Sequence, residues 1–149
     1  MVLRGLKDLG IHTVCRFHMK LKETDIPSHE GPFKGAIDFL VALGTPVLAS
    51  RDGMIVDVID AHDKFGPTEE YKEDLNYITL LHENGEYSQL AHLARGSAMV
   101  SLGEDVKVGQ EIGISGNSGW MTEPQIHMLV FRLEADEHGF KGLEIRFEE

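Results

Sequence analysis

Short apolar runs separated by turn residues recur along most of the chain. Between positions 36 and 133 these runs hold four to eight residues, are rich in Val, Ile and Phe, and are bounded by Gly, Asp, Asn or Pro. This is the pattern of β-strands joined by tight turns. The runs that predict strands are 36–40, 46–49, 54–59, 77–81, 87–93, 111–114 and 126–133. We therefore predict an all-β, mostly antiparallel fold.

Two local patterns refine this prediction. Asn84-Gly85 tolerates the positive φ of a tight turn, so the strands on either side of it should pair as a hairpin. We interpret His82, just before this turn, as a structural or surface histidine. The stretch 61–74 is polar and acidic and lacks alternation, which predicts a long loop or a short helix.

The length of the chain predicts one domain, because 149 residues is close to the usual size of a single hydrophobic core. Within it we place an N-terminal strand and extension at 1–27, the main domain at 28–134 and a C-terminal extension at 135–149. Polar and apolar side chains alternate over 13–21, which predicts a strand suited to a sheet edge.

Composition narrows the classes of partner. The chain has 25 acidic and 14 basic residues, a formal net charge of -11, and its basic residues are scattered, which argues against nucleic acid or an anionic membrane. No apolar run approaches the roughly 20 residues needed to span a bilayer, and the first 21 residues lack the apolar core of an export signal. We expect no membrane span, and a cytoplasmic location unless the N-terminus has been trimmed. The lone Cys15 cannot form an intrachain disulfide.

Several separated motifs follow one another in a recognisable order. They are 34–39 (KGAIDF), 44–49 (GTPVLA), 52–56 (DGMIV), 90–93 (LAHL), 103–113 (GEDVKVGQEIG), 115–119 (SGNSG) and 125–127 (QIH). Their order resembles that of the lysostaphin and LytM type zinc endopeptidases over about residues 30–133, and several motifs together are far more specific than any one. The resemblance implies a two-sheet antiparallel β sandwich, the duplicated hybrid motif of LytM-like domains, with one zinc ion in its groove.

The same resemblance implies roles for individual residues. The family takes its zinc ligands from an HxxxD segment and from the second histidine of an HxH segment. By position, Asp38 and His127 match two ligands, and His92 matches a histidine that serves the chemistry. Lys34 stands where HxxxD has its histidine, and Gln125 stands where HxH has its first, catalytic histidine.

These two departures weaken the metal site and the acid–base chemistry together. A catalytic zinc ion normally has three protein ligands and an open position for water, whereas Asp38 and His127 supply two. The ammonium of Lys34 has no lone pair for a metal. Gln125 cannot exchange protons as an imidazole does, although its amide can hydrogen-bond a substrate carbonyl. We therefore expect zinc to be absent or weakly held.

Other residues offer ways to complete or replace the site. His29, Glu30 and Glu123 lie near the motif segments and are surrogate ligands if their loops fold back over the groove; solvated loop residues are the commoner alternative. If no metal binds, we expect the Lys34 ammonium to lie beside Asp38, because an unpaired buried carboxylate is costly.

Two functions in different classes remain open. One is a LytM-like domain with little or no hydrolysis that binds a peptide, glycan or protein partner in its groove. The other is an active zinc endopeptidase that cleaves cell-wall-type peptides, with His92 polarising the tetrahedral intermediate. The residues at positions 34 and 125 favour the first function.

Overall fold

A computed structural model describes residues 20–22 and 29–145 of the chain. Within these residues two short 3-10 helices, Gly31–Phe33 and Glu69–Asp74, lie before the second and sixth strands. The strands are β1 (Lys20–Lys22), β2 (Ile37–Leu40), β3 (Pro46–Leu48), β4 (Gly53–Ile59), β5 (Phe65–Gly66), β6 (Tyr77–Leu81), β7 (Tyr87–Ala91), β8 (Asp105–Val106), β9 (Glu111–Ile114), β10 (Gly119–Trp120), β11 (Gln125–Leu133) and β12 (Phe140–Leu143). The all-β prediction is confirmed.

Eight of these strands form one antiparallel sheet. Their order is β1-β2-β11-β7-β6-β4-β8, and β12 pairs with the end of β11. β1 lies at a sheet edge, as predicted for the N-terminal strand, although positions 13–19 of that strand lie outside the described residues. β3 and β9 form a second, antiparallel pair, whereas β5 and β10 are parallel and are the exception to the antiparallel prediction.

The hairpin agrees with its prediction, whereas the acidic insertion agrees only in part. β6 and β7 pair across the predicted turn, where Gly85 has φ +80°. The insertion contains the predicted short helix, here a 3-10 helix, but it also contains β5, which the sequence did not predict. A Cβ added to Gly66 of β5 would lie 2.6 Å from Cδ2 of Tyr71, so the 3-10 helix packs directly on this strand.

The hydrophobic core lies between the large sheet and the β3–β9 pair. It contains Phe39, Leu90, Ile126 and Met128 from the large sheet together with Val47 and Ile112 from the small one. Fully burying an aliphatic or aromatic side chain contributes about 1.5–3 kcal/mol, so this core fixes β2, β11 and β7 side by side.

The segment 135–149, predicted as an extension, contributes a strand to the main sheet. Phe140 of β12 pairs with Leu133 of β11, and Leu143 pairs with Val130. Among the described residues no helix is long and apolar enough to cross a bilayer.

Candidate functional site

Three neighbouring strands bring polar side chains together at one place in the large sheet. His127 of β11 lies opposite Asp38 of β2 on one side and opposite Ala91 of β7 on the other. His92 directly follows β7. Residues opposite one another on paired strands have Cβ atoms about 4.5–5.5 Å apart, so the sheet register itself assembles this group.

Two imidazoles flank the carboxylate of Asp38. Nδ1 of His127 lies 2.8 Å from Oδ1, and Nε2 of His29 lies 3.2 Å from Oδ2. Asp38 is only 1% exposed, and one ligand atom from each of the three residues lies within 4.8 Å of the others. Burial alone would raise the pKa of Asp38, but the hydrogen bond to His127 and the positive potential of the surrounding imidazoles outweigh it, and the pKa is lowered.

The chemistry of this group fits zinc. Nε2 of His29 is buried and makes no hydrogen bond within the described part of the chain. Buried polar atoms in proteins are nearly always paired, so a ring nitrogen without a hydrogen bond beside a carboxylate suits a cation. Two imidazoles and a carboxylate form a three-ligand set of the kind that leaves a position open for water in catalytic zinc sites. The sequence left two candidate ligands, and the structure brings His29 to the position where a third could bind.

His92 is held at the edge of this group in an uncommon backbone conformation, with φ +68°. Its N–H donates to the Asn76 carbonyl at 3.0 Å, and its carbonyl accepts from the Gly116 N–H at 2.9 Å. Because its ring Nδ1 lies 2.7 Å from the carbonyl oxygen of Ser118, Nδ1 carries the proton and Nε2 has the free lone pair. Burial lowers the pKa of His92 to about 4. The ring centroids of His92 and His127 are 6.3 Å apart.

Sequence reasoning missed the two residues that support His92. The Ser118 hydroxyl donates to the Leu93 carbonyl at 2.9 Å and accepts from the Asn76 N–H at 3.1 Å. The Asn76 amide donates to the carbonyls of Leu93 and His62. Ser118 lies in the Gly-rich motif 115–119 and Asn76 is a polar residue just before an apolar strand, which were the only signals available.

Gln125 shares a strand face with His127, because the two are separated by one residue on β11. It is 6% exposed, and its side-chain amide makes no hydrogen bond with another described residue. The amide therefore has free donors and a free acceptor near the ligand group.

Other predicted residues lie outside the group. Glu30 is exposed and Glu123 is half-buried, and neither belongs to the three-residue cluster. Lys34 is exposed, and both Asp38 oxygens face imidazoles, which corrects the expected Lys34–Asp38 pair. The reason is the 3-10 turn, in which the Lys34 N–H donates to the Gly31 carbonyl at 3.1 Å and the chain returns His29 to the carboxylate.

Known proteins are similar to this chain in sequence and in fold. The profile of peptidase family M23 matches residues 32–138. An uncharacterized metalloprotease of Buchnera aphidicola is 34% identical over 106 residues, 71% of this chain and 25% of the relative. The peptidoglycan DD-endopeptidase ShyA of Vibrio cholerae is 36% identical over 90 residues, 60% of this chain and 18% of the relative. The chain thus spans a quarter or less of these relatives.

A solved structure also has this fold. Lysostaphin from Staphylococcus simulans superimposes with a TM-score of 0.59 at 26% identity, covering 83% of this chain and 47% of lysostaphin. The fold and the clustered His, Asp and His residues define a metallopeptidase-type β domain. The chain belongs to peptidase family M23.

Proposed function

We propose that this domain binds one zinc ion through His29, Asp38 and His127 and hydrolyses peptide bonds in peptidoglycan-type peptides at a low rate. The observation that carries the proposal is the Nε2 atom of His29, which is buried, has no hydrogen-bond partner among the described residues and lies 3.2 Å from Oδ2 of Asp38. It supplies the third ligand and favours zinc binding over an empty groove. The substrate class rests on relatives named as peptidoglycan and glycyl-glycine endopeptidases.

The chain's own residues would prepare the reaction around the ion. When bound, zinc supplies a Lewis acid and lowers the pKa of its water to about 7. His92 presents an unprotonated Nε2, because the Ser118 carbonyl holds the proton on Nδ1. That lone pair can accept a hydrogen bond from water or from a substrate N–H. Two backbone hydrogen bonds hold His92 at its positive φ, and this backbone conformation fixes the direction of the ring.

Gln125 sets the expected rate. Its amide can donate a hydrogen bond to a substrate carbonyl oxygen and so orient the peptide, but it cannot give or take a proton near neutral pH. General acid–base catalysis by one well-placed side chain contributes roughly 10²–10⁴-fold. The domain should therefore bind peptide well and cleave it slowly.

The test compares the wild type with Gln125→His. Bound zinc is measured after dialysis at neutral pH, and cleavage of a glycyl-glycine peptide and of a D,D-cross-linked peptide is followed by mass spectrometry. We expect about one zinc per chain in both proteins, and a kcat at least about 10-fold higher in Gln125→His with little change in KM.

A second function, binding without cleavage, is favoured by Gln125 itself, because an amide in place of an imidazole retains binding capacity and loses proton transfer. It predicts that both proteins bind zinc and peptide, and that neither cleaves either substrate. That result would replace the hydrolytic proposal, whereas wild type without bound zinc would overturn the ligand set.

A further inference from the structure

The three proposed ligands are supported very differently by the fold. Asp38 and His127 lie opposite each other on paired strands of the large sheet. His29 lies nine positions before Asp38, ahead of the 3-10 helix Gly31–Phe33 and outside every strand. Its position relative to the carboxylate must therefore come from whatever the loop 29–36 packs against.

The backbone of β12 contacts this loop directly. A Cβ built on Gly142 would lie 2.7 Å from the Pro32 carbonyl oxygen and closer still to that of Lys34. In return, a Cβ built on Gly35, which has φ +93°, would lie 2.8 Å from the carbonyl carbon of Leu143. Two glycines thus let the loop and β12 approach with no side chain between them.

A row of aromatic rings makes a second connection. Phe33, in the loop, meets Phe140 of β12 edge to face, with ring centroids 5.3 Å apart. Phe140 meets Phe131 of β11 at 5.5 Å, and Phe131 stacks on Tyr87 of β7 at 5.1 Å. Only the Phe33 end of this row reaches the loop; the Tyr87 end lies two strands away from β12.

We propose that β12 is a positioning element for the metal site, in which Gly142 and Phe140 hold the loop so that His29 faces Asp38. The inference rests on the zinc ligand set proposed above. The family profile covers residues 32–138, so His29 lies three residues before the matched region and β12 begins after it. Both His29 and β12 thus lie outside the family match, and β12 contacts residues 32–35 of the loop that follows His29.

The experiment measures two properties of Phe140→Ala, Gly142→Ala and the control Tyr87→Ala. The first is the zinc dissociation constant, by competition with a chromophoric chelator. The second is amide hydrogen exchange in zinc-free protein at Lys34 and Ala36, whose N–H groups donate to the Gly31 and Phe33 carbonyls within the loop. We expect Phe140→Ala and Gly142→Ala to weaken zinc binding about 10-fold and to speed exchange at both amides, and Phe140→Tyr to restore both.

Tyr87→Ala removes a ring contact of the same row without touching the loop. It should lower the melting temperature while leaving the zinc constant and the exchange at Lys34 and Ala36 unchanged. If Phe140→Ala behaves in the same way, β12 is only a structural strand and the inference is wrong. If wild type binds no zinc, the ligand set falls, and the exchange rates still decide whether β12 holds the loop. Should Gly142→Ala fail to fold, Phe140→Ala carries the test.

Discussion

Two histidines, His82 in the β6–β7 hairpin and His29 in the loop beside Asp38, have buried ring nitrogens with opposite hydrogen bonding. Directly after β6, Nδ1 of His82 lies 2.8 Å from the Asp52 carbonyl oxygen and Nε2 lies 2.8 Å from the Ser88 hydroxyl. In the loop, Nε2 of His29 is buried without a hydrogen bond within the described residues. Burial alone therefore does not indicate a metal ligand, whereas a buried ring nitrogen without a hydrogen bond beside a carboxylate does.

The two sites also differ in charge. At His82, a neutral ring donates from Nδ1 to Asp52 and accepts at Nε2 from Ser88, whose oxygen lies 3.1 Å from the Ser50 hydroxyl. Burial lowers the pKa of His82, which keeps this closed chain of hydrogen bonds uncharged. At His29 the neighbour is a carboxylate whose pKa is lowered, so that site offers a negative charge to a cation.

The largest expected effect is the loss of zinc from His29→Ala. Removing one of three ligands should weaken zinc binding about 100-fold or more, since even changes to groups behind the ligands cost 10–100-fold. His82→Ala is the matched control, because it removes a buried histidine that belongs to no ligand group. Zinc titration of both variants checks the comparison, and equal zinc affinities in the two would break it.

The next effect is on stability and falls on the other histidine. His82→Ala removes the ring that hydrogen-bonds the Ser88 hydroxyl and the Asp52 carbonyl and opens a cavity, so the free energy of unfolding should fall by about 2–4 kcal/mol. His29→Ala in zinc-free protein loses no hydrogen bond at Nε2 to any residue that the structure describes and should cost less than about 1 kcal/mol. Urea unfolding in the presence of chelator measures both. A larger loss for His29→Ala would show that His29 is the structural residue.

Sequence reasoning predicted features that depend on neighbouring residues and missed features that depend on contacts between distant parts of the chain. Most of the longer strands were predicted because the pattern of apolar runs and turn residues is local. Asp38, His92 and His127 were singled out by motifs that each lie within a few residues. His29 was only a surrogate candidate, because its nine-position spacing to Asp38 needs a 3-10 turn and contact with β12, more than 100 positions away.

Backbone partners were beyond prediction for a different reason. The Ser118 carbonyl orients His92 and the Asp52 carbonyl satisfies His82, and a carbonyl oxygen is present at every position of the chain. The parallel β5–β10 pair also escaped, because strands of two residues show no period.

A smaller effect is the dependence of stability on pH. Because burial lowers the folded pKa of His82 below the ordinary histidine value of about 6.5, the unfolded chain binds more protons just below that pH. The stability that His82 contributes is thus complete above pH 6.5 and declines as the pH falls toward the folded pKa. His82→Gln should flatten this decline by up to about 1.4 kcal/mol per pH unit, which urea unfolding at pH 7, 6 and 5 will measure. If the free energy of unfolding falls equally with pH in wild type and variant, the decline comes from a group other than His82.

The smallest expected effect is that of Lys34→Ala on zinc. An ammonium beside Asp38 would repel the ion, so its removal would strengthen zinc binding. Lys34 is exposed instead, and both carboxylate oxygens face imidazoles, so water and salt screen its charge. The zinc dissociation constant of Lys34→Ala at 0.15 M salt should therefore stay within about twofold of wild type. Zinc binding that is about 10-fold tighter or more in Lys34→Ala would show that the ammonium lies in the groove. His29 would then not be the third ligand.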